Sequence, residues 1–178
     1  MAELLGTFIL VFVGTGAIVT SSFIGDGLSV QGILLIALAF GLTLSAIVYT
    51  IGPISGAHVN PAVTIGVWIA GKIKGKYVIP YIIMQLFGAI IASFFILVMV
   101  GITPHGIGEN TTGAFGIQSA LLAETLLTMI FVVVIIKTAN NNNNALAIGF
   151  FLAVAHLFAI PISGASLNPA RSFGPAII

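Results

Sequence analysis

Cysteine is absent from the 178 residues, and charge is scarce, with Asp, Glu, Lys and Arg making up 5% together. The first absence excludes disulfides, thiolate metal sites and cysteine nucleophiles. The second excludes an ordinary water-soluble domain, in which roughly a quarter of residues are charged. There is one tryptophan, Trp68, and one arginine, Arg171. No nucleophile–base pair, metal-ligand cluster or phosphate loop stands out, so neither an enzyme nor a cofactor is expected. A net charge of +1 gives no footing for a nucleic-acid partner.

What fills the chain is apolar: 59% of residues are hydrophobic and the mean hydropathy is +1.25. Long runs cover Leu4–Ile24, Ile33–Ile51, Val78–Ile102, Leu121–Ile136 and Ala145–Ile162. A bilayer-crossing helix needs about 20 such residues. These runs predict full spans, with the lipid bilayer as the solvent. The first is not a signal peptide, because Glu3 stands where a basic segment belongs and more spans follow. Lys72, Lys74 and Lys76 follow the second run and Lys137 the fourth, whereas Ser21–Gln31 and Thr103–Gln118 hold only Asp26 and Glu109. Positive loops stay inside, so the N-terminus is expected in the cytoplasm, most simply at the plasma membrane. Asn110-Thr111-Thr112 matches a glycosylation sequon on the outer side. Asn140–Asn144 is a polar inner turn.

The chain repeats itself at an offset of 108. Gly41, Pro53-Ile54-Ser55-Gly56-Ala57, Asn60-Pro61-Ala62 and Gly66 recur as Gly149, Pro161-Ile162-Ser163-Gly164-Ala165, Asn168-Pro169-Ala170 and Gly174. The reading is one channel domain over 1–178, with one repeat over about 1–102 and another over about 119–178. Three crossings separate equivalent points, so the second copy is expected to be inverted. Inverted repeats place a transport path at their interface, near the midplane. Each motif begins as short Gly-containing backbone. Asn60 or Asn168 then caps a helix whose first residue is Pro61 or Pro169. Pro61–Ala70 and Pro169–Ile178 make about 15 Å of helix each, half the hydrocarbon thickness. Two half-helices are thus expected to enter from opposite faces and meet at Asn60 and Asn168. Irregular backbone at that depth has to be buried in protein or line a wet cavity.

SGAHVNPAVTIG and SGASLNPARSFGP resemble the two signature loops of the major intrinsic protein family, the aquaporins and aquaglyceroporins, and the likeness covers essentially the whole chain. It implies an all-α, right-handed membrane bundle with an inverted repeat and two re-entrant half-helices. It implies a homotetramer with one pore per subunit. By that resemblance, Asn60, Pro61, Ala62, Asn168, Pro169 and Ala170 form the pore centre, where Asn amides donate to passing water. Phe40, His156, Ala165 and Arg171 form an aromatic/arginine filter, read as one aromatic wall with two polar donors. The carbonyls of Gly56, Ala57, His58, Val59, Gly164, Ala165, Ser166 and Leu167 form a ladder of acceptors, and Glu3 and Glu124 anchor the loops. Glycerol-conducting members carry Trp, Gly and Phe at the positions of Phe40, His156 and Ala165, and Asp and a basic residue at those of Ser172 and Ala176. The resemblance therefore implies a water channel, and with no thiol near the pore, block by soft mercury compounds is not expected. A facilitator of glycerol or other small neutral solutes, and a proton-coupled transporter using Glu3 and Glu124, are the alternatives. Gly6, Gly14, Gly16, Gly41, Gly88 and Gly149 are expected to let helices approach closely. Five full spans are present. The chain stops inside the second half-helix, so a sixth span is expected beyond Ile178, and the 178-residue form alone is expected to conduct poorly.

Overall fold

A computed structural model describes residues 1–24, 29–101, 103, 106–139 and 144–178. Asp26 and the Asn tract at 140–143 lie outside the described residues. The long apolar runs become five helices: α1 (Ala2–Ile24), α2 (Val30–Ser55), α4 (Val78–Val100), α5 (Gly116–Thr138) and α6 (Asn144–Ser163). Each is long and apolar enough to cross a membrane. Two nine-residue helices, α3 (Pro61–Ile69) and α7 (Pro169–Ile177), follow the Asn-Pro-Ala triplets. They are the two half-helices of an integral, multi-pass membrane fold.

At one boundary a helix outlasts its apolar run past a proline. The second run ends at Ile51, yet α2 continues through Pro53 to Ser55, while α6 passes through Pro161, which its run included, and ends at Ser163. A proline removes one ladder bond but does not stop a helix whose neighbours hold it at membrane depth. The stop comes instead at Gly56, in the left-handed conformation (φ 86°), whose N–H donates to Gly52 O. Gly164 (φ 73°) repeats this, its N–H donating to Ile160 O.

Packing follows the small residues. α2 lies along α6, joining the two halves. At their crossing the equivalent glycines Gly41 and Gly149 face each other's backbone: a methyl on Gly41 would sit 2.6 Å from Gly149 O. No larger residue fits there, and close backbone approach is how membrane helices gain dispersion energy. Gly88 admits the α1 backbone near Leu4 O, and Gly174 of α7 lies against Ala89 O of α4. Gly14 leaves the space that the Phe40 ring occupies. Gly16 is the exception among the glycines expected to pack, because none of the described residues lies within 4 Å of the position its Cβ would take. Outward-facing positions such as Leu121, Leu122 and Met129 on α5 and Phe94 and Val98 on α4 are exposed and apolar, as a lipid-facing surface requires.

Candidate functional site

The two motif loops adopt a backbone that side chains ordinarily avoid. Ala57 and Val59 have φ of 49° and 44°, and Ala165 and Leu167 have 48° and 55°. Left-handed backbone costs a residue with a Cβ roughly 1–3 kcal/mol, and a β-branched valine there is a true outlier. Something has to hold it. In the first loop it is Glu3, whose Oε1 accepts from His58 N (3.0 Å) and Ser55 Oγ (2.6 Å). Its Oε2 accepts from Val59 N (2.7 Å) and Gln85 Nε2 (2.7 Å). In the second loop Glu124 accepts from Ser163 Oγ (2.6 Å), Ser166 N (2.9 Å) and Leu167 N (2.8 Å). The donors Ser55, His58 and Val59 map onto Ser163, Ser166 and Leu167 at the offset of 108, so each carboxylate does the same work on its own copy.

The loops bring Asn60 and Asn168 together. Asn60 Oδ1 caps α3 through Ala62 N (2.8 Å) and Val63 N (3.4 Å), while its Nδ2 donates across to Leu167 O (2.7 Å). Asn168 Oδ1 caps α7 through Ala170 N (3.0 Å) and Arg171 N (3.3 Å), and its Nδ2 donates to Val59 O (2.8 Å). The half-helices thus meet N-terminus to N-terminus through reciprocal bonds. Each amide commits one N–H to the opposite loop and keeps one for another acceptor. Pro61 and Pro169 occupy the first helical position, where a missing N–H costs nothing.

A cavity of about 30 Å³ runs past this meeting point, room for about two waters at roughly 10–15 Å³ each. Asn60, Asn168, Phe40 and Arg171 line it, as do Gly56, Ala57, His58, Val59 and Ser166 of the expected carbonyl ladder. Gly164, Ala165, Leu167 and His156 are not in its lining. Of the expected filter residues, Phe40 and Arg171 line the cavity, and His156 packs behind them against Phe40. The His156 ring stacks on Phe40 with centroids 4.4 Å apart, and the Arg171 guanidinium carbon lies 5.4 Å from the Phe40 centroid. Phe40, His156, Ala165 and Arg171 are at most 1% exposed.

Hydrogen-bond partners assign the polar faces of that cluster. His156 Nδ1 lies 2.9 Å from Leu152 O. A carbonyl can only accept, so Nδ1 carries the proton, and in the neutral ring Nε2 is an acceptor. The expected pair of donors thus becomes one donor group, Arg171, beside one acceptor. Arg171 Nη1 donates to Gly108 O (2.9 Å) and Asn110 Oδ1 (2.7 Å), while Nε and Nη2 are buried without a partner among the described residues.

Two contributors, Gln85 and Thr64, were not singled out from the sequence, and Asn110 was noted only as part of a sequon. Gln85 joins Glu3 to Thr64 Oγ1 (2.9 Å), and Thr64 Oγ1 also contacts His58 Nδ1 (3.2 Å) and donates to Asn60 O (3.0 Å). The equivalent pair in the second copy, Ser166 and Ser172, is joined hydroxyl to hydroxyl, and Asn110 reaches Ser172 Oγ at 2.9 Å. Gln85 had a readable signal, as the single amide side chain in the run 78–102. An intramembrane polar residue is presumed to have a partner.

The family model described as Major intrinsic protein matches residues 1–178. The chain is 44% identical over 192 aligned positions to an aquaporin Z from Photorhabdus laumondii, covering 99% of this chain and 82% of that protein. It is 40% identical to an aquaporin Z from Brucella melitensis, with the same coverage. Among solved structures, the aquaglyceroporin from Plasmodium falciparum superposes with a TM-score of 0.80 at 27% identity, over 99% of this chain and 78% of that one.

Proposed function

The chain belongs to the major intrinsic protein family of membrane channels, and on that footing we propose that it is a passive water channel. One observation carries the reading. Two short helices meet tip to tip beside a cavity a few waters in size, and Arg171, the single arginine, lines the same cavity.

Each half-helix puts about half a positive charge at its N-terminus, so cations meet an electrostatic barrier where the tips meet. The uncommitted Nδ2 protons of Asn60 and Asn168 donate to a passing oxygen. A water held this way turns its own hydrogens toward the two mouths and cannot relay a proton across the centre. Carbonyls of the left-handed loops supply acceptors along the way. At the filter, Arg171 Nε and Nη2 donate and His156 Nε2 accepts, which replaces hydration lost in a narrow passage. Phe40 and His156 fill the space that a bulkier polyol needs, which favours water over glycerol. Glu3 and Glu124 are committed to backbone N–H groups, and this favours anchoring over proton relay. We further propose a homotetramer in the plasma membrane with a cytoplasmic N-terminus, supported by the Lys72–Lys76 and Lys137 placement.

Stopped-flow light scattering on proteoliposomes of the natural protein tests the proposal. Sucrose gradients are expected to give rapid shrinkage above that of bare vesicles, and glycerol gradients slow swelling. Arg171→Ala is expected to admit glycerol and raise cation leak. No osmotic permeability above the lipid, or glycerol passing as readily as water, would overturn it. Uptake driven by a pH gradient would favour the transporter reading.

A further inference from the structure

The channel reading explains why Arg171 is present but not what keeps its guanidinium in place. The neighbouring charges do not. Glu124, the nearest acid by sequence logic, is committed to Ser163, Ser166 and Leu167. Arg171 is instead held by neutral groups of the connection between α4 and α5, and the centre of that hold is Asn110.

We infer that Asn110 is a positioning residue for Arg171, a selectivity determinant acting through the arginine; this rests on the channel reading. Its side chain makes three bonds of the right sense. Oδ1 accepts from Arg171 Nη1 at 2.7 Å and from Ser172 Oγ at 2.9 Å, and Nδ2 donates to Ala165 O at 3.1 Å. Arginine can only donate and a carbonyl can only accept, so the amide cannot be flipped without losing both. With Gly108 O at 2.9 Å, both Nη1 protons are spent. A guanidinium is a rigid plane, and fixing one nitrogen fixes the direction of the others. The buried Nε and Nη2, without a partner among the described residues, are thereby left as the donors available to a permeant.

The segment is seated independently of Asn110. Gly113 N donates to Ile162 O at 2.9 Å, and a methyl on Gly108 would run into Thr15. Asn110 therefore works from a docked loop, and through Ala165 and Ser172 it ties the Arg171 plane to both flanks of the second motif. Gln85 has the matching task in the first half, bonding Glu3 and Thr64, the equivalent of Ser172. The position equivalent to Arg171 there is Val63, so only Asn110 orients a charge.

The test uses the natural protein in proteoliposomes, with ¹⁵N-arginine labelling and the Arg171 signals assigned by their loss in Arg171→Lys. Wild type is expected to conduct water and to show resolved guanidinium nitrogens. Asn110→Ala is expected to let the guanidinium rotate and its Nη signals merge. The glycerol-to-water permeability ratio then rises about tenfold, the factor that one hydrogen bond to a charged group is worth. Asn110→Asp keeps volume and acceptors but neutralises the arginine. It is expected to raise monovalent-cation leak by about tenfold while glycerol stays excluded. A merely structural role would lower the unfolding temperature of Asn110→Ala with spectrum and ratio unchanged, and that result overturns the inference. If Asn110→Ala does not assemble, an unaltered cation leak in Asn110→Asp overturns it alone. Wild type that fails to conduct water would sink the channel reading, whereas conducting wild type with wild-type-like variants sinks only this one.

Discussion

The loops at 56–60 and 164–168 share one backbone and hold it by different means. Both run through left-handed alanines and end on a capping asparagine, and both have a carboxylate beneath them. Around the first, Glu3 is buried and has a fourth donor in Gln85 of α4. Around the second, Glu124 is only half-buried and borders a cleft of about 580 Å³ shared with Asn110, Thr125 and Ser172. Within residues 1–178 the first loop is braced from α4, through Gln85, and the second from the connection between α4 and α5, through Asn110. The strained backbone is common to both copies. The position that matches Gln85 at the offset of 108 falls beyond Ile178, so the difference lies in Asn110, which braces the copy that carries Arg171.

The largest break in this comparison is expected at the carboxylates. Glu3→Ala orphans His58 N, Val59 N, Ser55 and one Gln85 proton, at roughly 1–3 kcal/mol for each buried donor left unpaired. The channel is expected not to assemble. Glu124→Ala orphans the matching donors Ser163 Oγ, Ser166 N and Leu167 N, so a loss of similar size is expected in thermal unfolding in detergent. A negligible loss would contradict its anchoring of the second loop.

Next come the two caps. Asn60→Ala and Asn168→Ala each remove a helix cap and one cross-loop bond, about 2 kcal/mol together. Because their partners match, denaturation midpoints are expected to fall by the same amount in both. Markedly unequal shifts would mean that the meeting point is not symmetric.

The smallest effect sharpens the comparison at the equivalent hydroxyls. Thr64 joins Gln85, His58 and Asn60, whereas Ser172 joins Ser166 and Asn110. Thr64→Val is expected to cost about 1–2 kcal/mol of stability with little change in solute selectivity. Ser172→Ala is expected to cost less stability but to raise the glycerol-to-water ratio, since Ser172 shares Asn110 with Arg171. Permeability and unfolding measured on both variants would separate the two roles.

Much of the fold was legible because a bilayer allows few solutions. Apolar runs of span length have to be helices, and a capping Asn before Pro61 or Pro169 has to begin one. The repeat made the meeting of the half-helices a deduction about inversion rather than about contacts. The details that escaped are long-range or depend on proton placement. Asn110 and Arg171 are 61 residues apart, and nothing local to a sequon announces an arginine partner. The acceptor face of His156 follows from Leu152 O, which only the folded helix brings to Nδ1. Gly16 shows the converse, a glycine among packing glycines with none of the described residues against it.

Natural absence of cysteine permits a direct test of the central claim, that the two motif loops approach one conduit from opposite sides of the membrane. His58 and Ser166 are equivalent positions, and both line the cavity. Osmotic permeability would be measured for His58→Cys and Ser166→Cys vesicles of uniform orientation, with a membrane-impermeant thiol reagent added to one side at a time. Block of each variant from one face only, and from opposite faces for the two, is the predicted result. Block of both from the same face, or of neither from either face, would contradict the account.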